Sequence, residues 1–346
     1  MGNQIINRML KLKSRPMMDD VSSENFELVE EEVRDIEEGE ILIKNLYLSF
    51  DPTQRGWLND VPSYIPPVQI GEVMRAGSVG KVIESKNQNF SEDDIVQGSF
   101  GWQEYAISGE GSGFMPPQKL HEGISPTSAL SIYGITGLTA YFGMLDIGKP
   151  EQNDTVLVSG AAGATGSVAG QIAKIKGATN IIGIAGGPEK CKWVVEEAGF
   201  DSCIDYKNEN VAKRVTELAP NGLNIYFDNV GGSILETALG NIAQKARVVM
   251  CGGISSGYTM ERLAPGPSTI FNLIIQRAKM EGFIVIDYAE QFPHAVMELA
   301  GWVAEGKINY KEDIAEGLEN CPDTLANLFK GKNFGKQLLK LSLIHI

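Results

Sequence analysis

The chain has 346 residues, 43% of them hydrophobic, so it is long enough to bury a large core and to form two domains. Its formal net charge of −14 and its lack of any long basic run argue against nucleic acid or an anionic membrane surface as a partner. The four cysteines are scattered, without a C-x-x-C pair, and no signal peptide opens the chain, so reduced thiols and a cytoplasmic location are expected.

In the first part of the chain, residues 1 to about 128, short β-type runs alternate with glycine and proline turns. Many short strands joined in this way predict an irregular antiparallel barrel or sandwich. The acidic run at residues 30–32 is interpreted as a solvated face. The predicted strands are residues 40–47, 71–74, 80–84, 94–96 and 103–107.

From about residue 129 the pattern changes to alternating strands and helices, after an uncharged stretch, 123–145, that is interpreted as buried helix and turn. Six strands with helices between them predict an α/β fold with a doubly wound parallel sheet. A C-terminal tail with strand-like residues is expected to return to the first domain. The predicted strands are residues 155–159, 181–185, 202–205, 223–227, 246–250 and 282–286, and the predicted helices follow residue 166 and cover 188–198, 211–218 and 289–305.

The first of these strands leads into the turn AAGATG, residues 161–166, and then into an amphipathic helix. The turn is the dinucleotide fingerprint G-x-G-x-x-G with alanine in the first position. Gly163 lets a pyrophosphate approach the backbone, and Gly166 lets the helix pack closely on the strand. The helix N-terminus offers N–H groups and a partial positive charge to an anion. A tight turn in an ordinary α/β protein is the alternative interpretation.

The end of the second strand indicates which dinucleotide is bound. An NAD site places an acid there to hold the ribose 2′-hydroxyl, whereas this strand ends Ala185-Gly186-Gly187. Lys190 follows in the next helix, and Tyr206 closes the third strand, so a 2′-phosphate would find a cation and a hydroxyl. NADPH is therefore predicted over NADH, although Lys190 could also be an ordinary surface residue.

Other common chemistries are missing from the sequence. The three histidines, His121, His294 and His345, form no H-x-x-x-H pattern, and no grouping of three zinc ligands is visible. A G-x-S-x-G nucleophile elbow is also missing. Hydride transfer into a substrate that carries its own electron sink is favoured.

These features and eight further stretches make the chain resemble, from about residue 7 to 341, the zinc-less branch of the medium-chain dehydrogenase/reductase superfamily. That branch includes prostaglandin and leukotriene reductases and bacterial curcumin reductases. The resemblance implies a Rossmann NADP-binding domain over residues 129–305 and a GroES-like catalytic domain over 1–128, to which 306–346 return. Where zinc-dependent members carry metal ligands, this chain has Phe50-Asp51-Pro52 and Gly71-Glu72-Val73, so no metal is expected. The stretches are LKSRP, SFDPTQRGW, PSYIPP, GEVMRAG, YGITGLTAYF, FDNVGG, CGGIS and KNFGK.

The resemblance also implies which residues contact the cofactor, including a backbone segment that passes it and a strand whose backbone meets the nicotinamide carboxamide, at residues 283–285. The expected contacts are Gly163, Ala164, Thr165, Gly166, Lys190, Tyr206, Asn229, Cys251, Gly252, Gly253, Ile254, Ser255, Phe283, Ile284, Val285 and Asn333.

Members of this branch place a tyrosine shortly after the CGxIS segment, where it supports the nicotinamide ribose and the substrate carbonyl. Here the tyrosine is displaced by one residue, to Tyr258. Tyr258 is the first candidate for proton donor and oxyanion stabiliser, with an exposed loop tyrosine as the alternative, and Tyr64 is the second candidate, at the substrate mouth. The terminal SLIHI departs from the branch and is assigned no function.

The resemblance implies NADPH-dependent reduction of the C=C bond of α,β-unsaturated ketones or aldehydes, with a small hydrophobic enone as substrate and a homodimer as the assembly. Two alternatives stay open. One is a zinc-independent quinone reductase, and the other is a low-activity NADPH-binding sensor or structural protein.

Overall fold

A computed structural model describes residues 4–17, 21–109, 115–259 and 266–341, so the SLIHI segment lies outside the described residues. The strands are β1 (Ile6–Leu12), β2 (Phe26–Glu32), β3 (Glu40–Ser49), β4 (Ser78–Ser85), β5 (Ile95–Gly98), β6 (Tyr105–Gly109), β7 (Gln118–Lys119), β8 (Thr155–Ser159), β9 (Asn180–Ala185), β10 (Ser202–Asp205), β11 (Leu223–Asp228), β12 (Ile242–Met250), β13 (Lys279–Gly282), β14 (Glu312–Glu316) and β15 (Lys336–Lys340).

The α-helices are α1 (Thr53–Gly56), α2 (Pro126–Leu130), α3 (Ile135–Phe142), α4 (Ala164–Ile175), α5 (Pro188–Glu196), α6 (Val211–Leu218), α7 (Gly232–Gly240), α8 (Asn272–Gln276), α9 (Phe292–Ala304) and α10 (Cys321–Phe329). Their ends follow local sequence signals. Pro188 occupies the first turn of α5, and the side chain of Asn210 caps α6 by accepting from the Lys213 N–H group over 3.0 Å.

Six strands form a parallel sheet in the order β10-β9-β8-β11-β12-β13, and every neighbouring pair is parallel. The chain order reverses between β8 and β11, which confirms the predicted doubly wound sheet. Helices cover both faces of this sheet. Val168 of α4 and Leu299 of α9 belong to the core on one face, and Val215 of α6 and Leu239 of α7 belong to the core on the other.

The second sheet runs β14-β15-β3-β4-β5-β7, with β6 also paired to β3. All its pairs are antiparallel except β14 with β15. Because β15 pairs with β3, a strand close to the C-terminus is built into a sheet that starts near the N-terminus. Helix α10 supplies Leu325 and Leu328 to the core beside this sheet, which also contains the fully buried Trp102.

Two predicted strands are wrong. Residues 71–74 form a turn with a single bridge from Val73 to Lys11, because Gly71 has a φ of +88°, outside the β region. The sixth strand of the parallel sheet covers Lys279–Gly282, not 282–286. Its sequence KMEG is exposed throughout, so it lacks the apolar run that marks a buried strand. The apolar residues that follow lead instead into a 3₁₀ helix, Val285–Gln291.

Candidate active site

The glycine-rich turn between β8 and α4 fits a diphosphate. Gly163 is the extended residue before α4, and its N–H group donates to the carbonyl oxygen of Gly160 over 2.9 Å. A Cβ atom on Gly166 would lie 2.3 Å from that same oxygen, so α4 can approach the turn this closely only with glycine there. The first N–H groups of α4, at Ala164 and Thr165, have no intrahelical partner and are available to an anion.

A segment near the C-terminus, residues 331–336, crosses this turn and is called the C-terminal strap below. The Gly335 N–H group donates to the carbonyl oxygen of Ala162 over 2.9 Å, and Gly335 forms a parallel bridge with Gly163. Gly335 has a φ of +74°, and a Cβ atom on it would lie 2.0 Å from the carbonyl oxygen of Lys311. The strap therefore needs glycine at this point, and it links the cofactor turn to the second sheet.

The ammonium group of Lys190, in the first turn of α5, contacts the other end of the strap. It donates to the carbonyl oxygens of Gly331 and Asn333 at 2.7 and 2.6 Å. Burial lowers the pKa of Lys190, and the charge of the neighbouring Lys207 lowers it further. A phosphate bound here would meet two cations in a partly desolvated place, where charge-assisted hydrogen bonds are strong.

The ring of Tyr206 completes this pocket. A Cβ atom on Gly186 would lie 2.8 Å from the ring, so the small end of β9 makes room for it. Gly331 of the strap lies beside the Tyr206 hydroxyl, because a Cβ atom on Gly331 would be 3.7 Å from the hydroxyl oxygen. The structure thus brings Lys190, Tyr206 and the strap together, whereas their spacing in sequence shows no such proximity.

Asn229 lies where β8 and β11 end side by side. Its N–H group donates to the Ser159 hydroxyl over 2.9 Å, and its side-chain amide donates to the Ser159 carbonyl oxygen over 2.7 Å. The backbone of residues 251–255 follows the same edge, and all of its N–H groups except that of Gly253 donate to carbonyl oxygens of residues 228–230. Burial raises the pKa of the Cys251 thiol to about 12, so this side chain stays neutral at ordinary pH.

Tyr258 lies between the two sheets. The side-chain amide of Asn59, just after α1, donates to the Tyr258 carbonyl oxygen over 2.7 Å. The rings of Tyr258 and Phe329 are arranged edge to face, with 6.4 Å between their centroids. The Tyr258 hydroxyl accepts from the Gly253 N–H group over 3.0 Å, which leaves its own proton free to be donated. Its φ is +51°, a conformation that costs a non-glycine residue roughly 1–3 kcal/mol.

Burial raises the pKa of Tyr258 to about 12, with smaller contributions from Cys251, Tyr64 and Asp228. Tyr64 therefore lies near enough to Tyr258 to affect it electrostatically. The Tyr64 side chain is 45% exposed, and its hydroxyl accepts from the indole N–H group of Trp57 over 3.3 Å and pairs with the Thr53 hydroxyl. The two candidate tyrosines differ accordingly, since Tyr258 is half-buried and Tyr64 lies at an open edge.

The expectation that residues 283–285 lie on a strand is wrong. β13 ends at Gly282, and Val285 begins the 3₁₀ helix. A Cβ atom on Gly143 would lie 2.7 Å from the Phe283 ring, which places that ring against α3, and Val285 is buried in the core. The contact of this segment's backbone with the nicotinamide carboxamide stays a prediction.

Sequence reasoning missed several residues of this region. Lys336 is 2% exposed, donates to the carbonyl oxygen of Phe50 over 3.0 Å and forms an ion pair with Asp51. This pair links the strap to the second sheet at one of the positions where the resemblance had placed a metal ligand. Lys207 and Asn59 were also missed. The signal for Lys207 was its position next to Tyr206, but no sequence pattern pointed to Asn59.

Within the described ranges, no group of three or more His, Cys, Asp or Glu side chains is placed to hold a metal ion. Nor does any helix in the described part of the chain have the length and apolar character needed to cross a membrane.

Two family models match the chain, one described as the N-terminal domain of oxidoreductase at residues 8–116 and one as zinc-binding dehydrogenase at 164–301. The NADPH-dependent curcumin reductase of Escherichia coli is 40% identical over 341 residues, which cover 97% of each chain. Prostaglandin reductase 1 of Bos taurus is 37% identical over 321 residues, covering 92% of this chain and 94% of the relative. The crystal structure of CurA in complex with NADPH from Vibrio vulnificus has a TM-score of 0.90 and 40% identity, covering 97% of this chain and all of that one.

Proposed function

The chain belongs to the medium-chain dehydrogenase/reductase superfamily, in its zinc-independent branch of double-bond reductases, and we propose from this premise that it uses NADPH to reduce the C=C bond of α,β-unsaturated ketones and aldehydes. The observation that carries the proposal is the pocket at the end of β9. It joins Lys190, Tyr206 and the strap around a strand end that has no acid.

In this proposal the parallel sheet and its helices, residues 129–305, hold the cofactor, and residues 1–128 with 306–346 form the substrate domain. The turn at 163–166 binds the pyrophosphate, and Lys190 and Tyr206 bind the 2′-phosphate. The rest of the cofactor is bordered by Asn229, by the backbone of residues 251–255 and 283–285, and by Asn333. Bound NADPH supplies the hydride that is added to the β-carbon of the enone.

Hydride addition at the β-carbon builds negative charge on the substrate carbonyl oxygen. Tyr258 is a half-buried residue between the two sheets whose hydroxyl has a free proton, so we assign it to stabilise that oxygen and to supply the proton for the α-carbon. With a pKa of about 12, it stays protonated at neutral pH and can act as a donor. Tyr64 lies at the open edge, where a flat hydrophobic substrate would enter.

The Tyr258→Phe variant is expected to lose about 100-fold in kcat, because one oxyanion donor is typically worth that much. Its affinity for NADPH should change little. The matched control is Tyr64→Phe, whose exposed hydroxyl should affect mainly KM. Steady-state kinetics with an alkenal, together with calorimetric titration of NADPH, measures both effects. An unchanged kcat in a folded Tyr258→Phe protein would remove Tyr258 from the mechanism.

The function itself is tested by mixing the protein with NADPH and a panel of enones, including curcumin and 2-alkenals, and following the NADPH absorbance band. The NADPH absorbance is expected to fall, and the product is expected to have gained two hydrogen atoms across the former C=C bond. A hydroquinone formed only from quinones would favour the quinone reductase alternative. Tight NADPH binding without turnover on any substrate would favour a sensor.

We also propose a homodimer formed through the free edge of the parallel sheet at β13. Next to that edge, Phe271 and Ile274 are each 67% exposed and Ile275 is 56% exposed. An exposed strand beside an apolar patch is suited to pairing with a second copy. Light scattering should then give twice the chain mass of 37.5 kDa. A cytoplasmic location stays a prediction from the scattered cysteines.

A further inference from the structure

Asp228 is a buried acid that the proposed mechanism does not use. It ends β11, and its side chain has no exposed surface. Four donors converge on its Oδ1 atom. The Tyr226 and Ser159 hydroxyls donate over 2.7 and 3.0 Å, and the N–H groups of Val230 and Gly231 donate over 2.9 and 2.8 Å.

No cation compensates this carboxylate within the described residues. Its Oδ2 atom has no hydrogen-bond partner, and Asp228 forms no ion pair there. Buried acids are normally paired, because an isolated charge is costly in a protein interior. Partial compensation comes from the N-terminus of α7, to which Val230 and Gly231 lead.

The four hydrogen bonds use only one of the two carboxylate oxygens. An asparagine could place its amide oxygen at the position of Oδ1. Its NH₂ group would then take the position of Oδ2, where it would meet no other hydrogen-bond donor. What the carboxylate adds to an amide is a negative charge, which strengthens these bonds and has no partner at Oδ2.

Asp228 lies where the strand order of the parallel sheet reverses, the place at which doubly wound sheets bind dinucleotides. Its carbonyl oxygen accepts from the N–H groups of Cys251 and Gly252, both expected cofactor contacts. Its negative charge also affects the surrounding groups. The pKa of Cys251 is raised first by burial and second by the charge of Asp228. It contributes in the same direction at Tyr258.

We propose that the Asp228 carboxylate stabilises the positive charge that appears on the nicotinamide when the cofactor is oxidised. In the overall reaction NADPH gives a hydride, with its electron pair, to the β-carbon, and a proton adds to the α-carbon, so NADP⁺ carries one more positive charge on its ring. A fixed negative charge nearby favours that product over the neutral dihydronicotinamide. This inference rests on the proposed function.

The test is the ratio of the dissociation constants for NADP⁺ and NADPH, measured by calorimetry on wild type and on Asp228→Asn. The ratio is expected to rise about tenfold in the variant, the scale of one unit charge in a protein-like dielectric. The matched control is Asp205→Asn, which removes another buried carboxylate from a strand end of the same sheet, at β10. That variant should leave the ratio unchanged, and so should Tyr226→Phe, which removes one donor but keeps the charge.

A purely structural role for Asp228 would weaken both forms of the cofactor equally, and an unchanged ratio in folded Asp228→Asn overturns the proposal. If the asparagine variant does not fold, Asp228→Ser serves instead, because its smaller side chain leaves room for a water molecule. A wild-type protein that binds neither form would refute the proposed function itself, which is a different outcome.

Discussion

Replacing Gly166 by alanine is expected to lower both the stability of the protein and its affinity for NADPH. The added Cβ atom would lie 2.3 Å from the Gly160 carbonyl oxygen, 2.9 Å from its carbonyl carbon and 3.2 Å from the Cα atom of Ala161. All three are backbone atoms of the turn, so no side chain can rotate away, and α4 must shift. Overpacking of this kind costs about 3 kcal/mol of unfolding free energy. The shift would also move the N–H groups that we propose to bind the pyrophosphate.

Thermal unfolding and calorimetric titration with NADPH measure the two effects of the Gly166 substitution. Gly301→Ala is the matched control, because Gly301 also lies in a helix and a Cβ atom there would have nothing within 4 Å. Helix propensity alone should make that control neutral or stabilised by up to about 1 kcal/mol. A Gly166→Ala protein with wild-type stability and affinity would show that the close packing of α4 on the turn is not needed.

Replacing Lys190 by alanine is expected to weaken NADPH binding by about 30-fold while NADH binding changes little. The ammonium group would lose a charge-assisted hydrogen bond to the 2′-phosphate, which is typically worth about 2 kcal/mol. NADH lacks that phosphate and so has nothing to lose at this point. Charge reversal, Lys190→Glu, should have a larger effect of the same kind, since the phosphate would then face a like charge.

The Lys190 substitutions also remove two hydrogen bonds to the strap, so a control must separate that loss from the loss of phosphate binding. A looser strap would weaken NADH and NADPH alike, and the ratio of their dissociation constants is therefore the decisive measurement. Lys192→Ala is the matched variant on the same helix, with a side chain that is 70% exposed. Equal losses for both cofactors in Lys190→Ala would contradict the assignment of the 2′-phosphate site.

Local patterns in the sequence were sufficient for five of the six strands of the parallel sheet. The predicted bounds of β8, β10 and α6 coincide with the structure, because each combines a clear apolar pattern with a turn or capping residue at its ends. The hairpin of β1 and β2 was not predicted. β2 reads FELVEEE with only Phe26 buried, and an exposed edge strand of this kind carries almost no alternating apolar signal.

The candidate site divides in a similar way. Gly166 could be assigned from the sequence, because the close packing that requires glycine there involves residues only a few positions away in the chain. The contact between Lys190 and the strap could not, because it joins residues 143 positions apart. Asp228 stood in the recognised stretch FDNVGG, beside the predicted Asn229, yet its complete burial follows only from the packing of neighbouring strands.

The strap also has a consequence for how the enzyme is made. Lys336 pairs with Asp51 across 285 positions of the chain, and the same short segment lies over the fingerprint turn. Contacts that distant form late, since the intervening polypeptide must first be brought together. A nascent chain on the ribosome can thus fold its parallel sheet early, but it completes the proposed NADPH site only when translation has passed the strap.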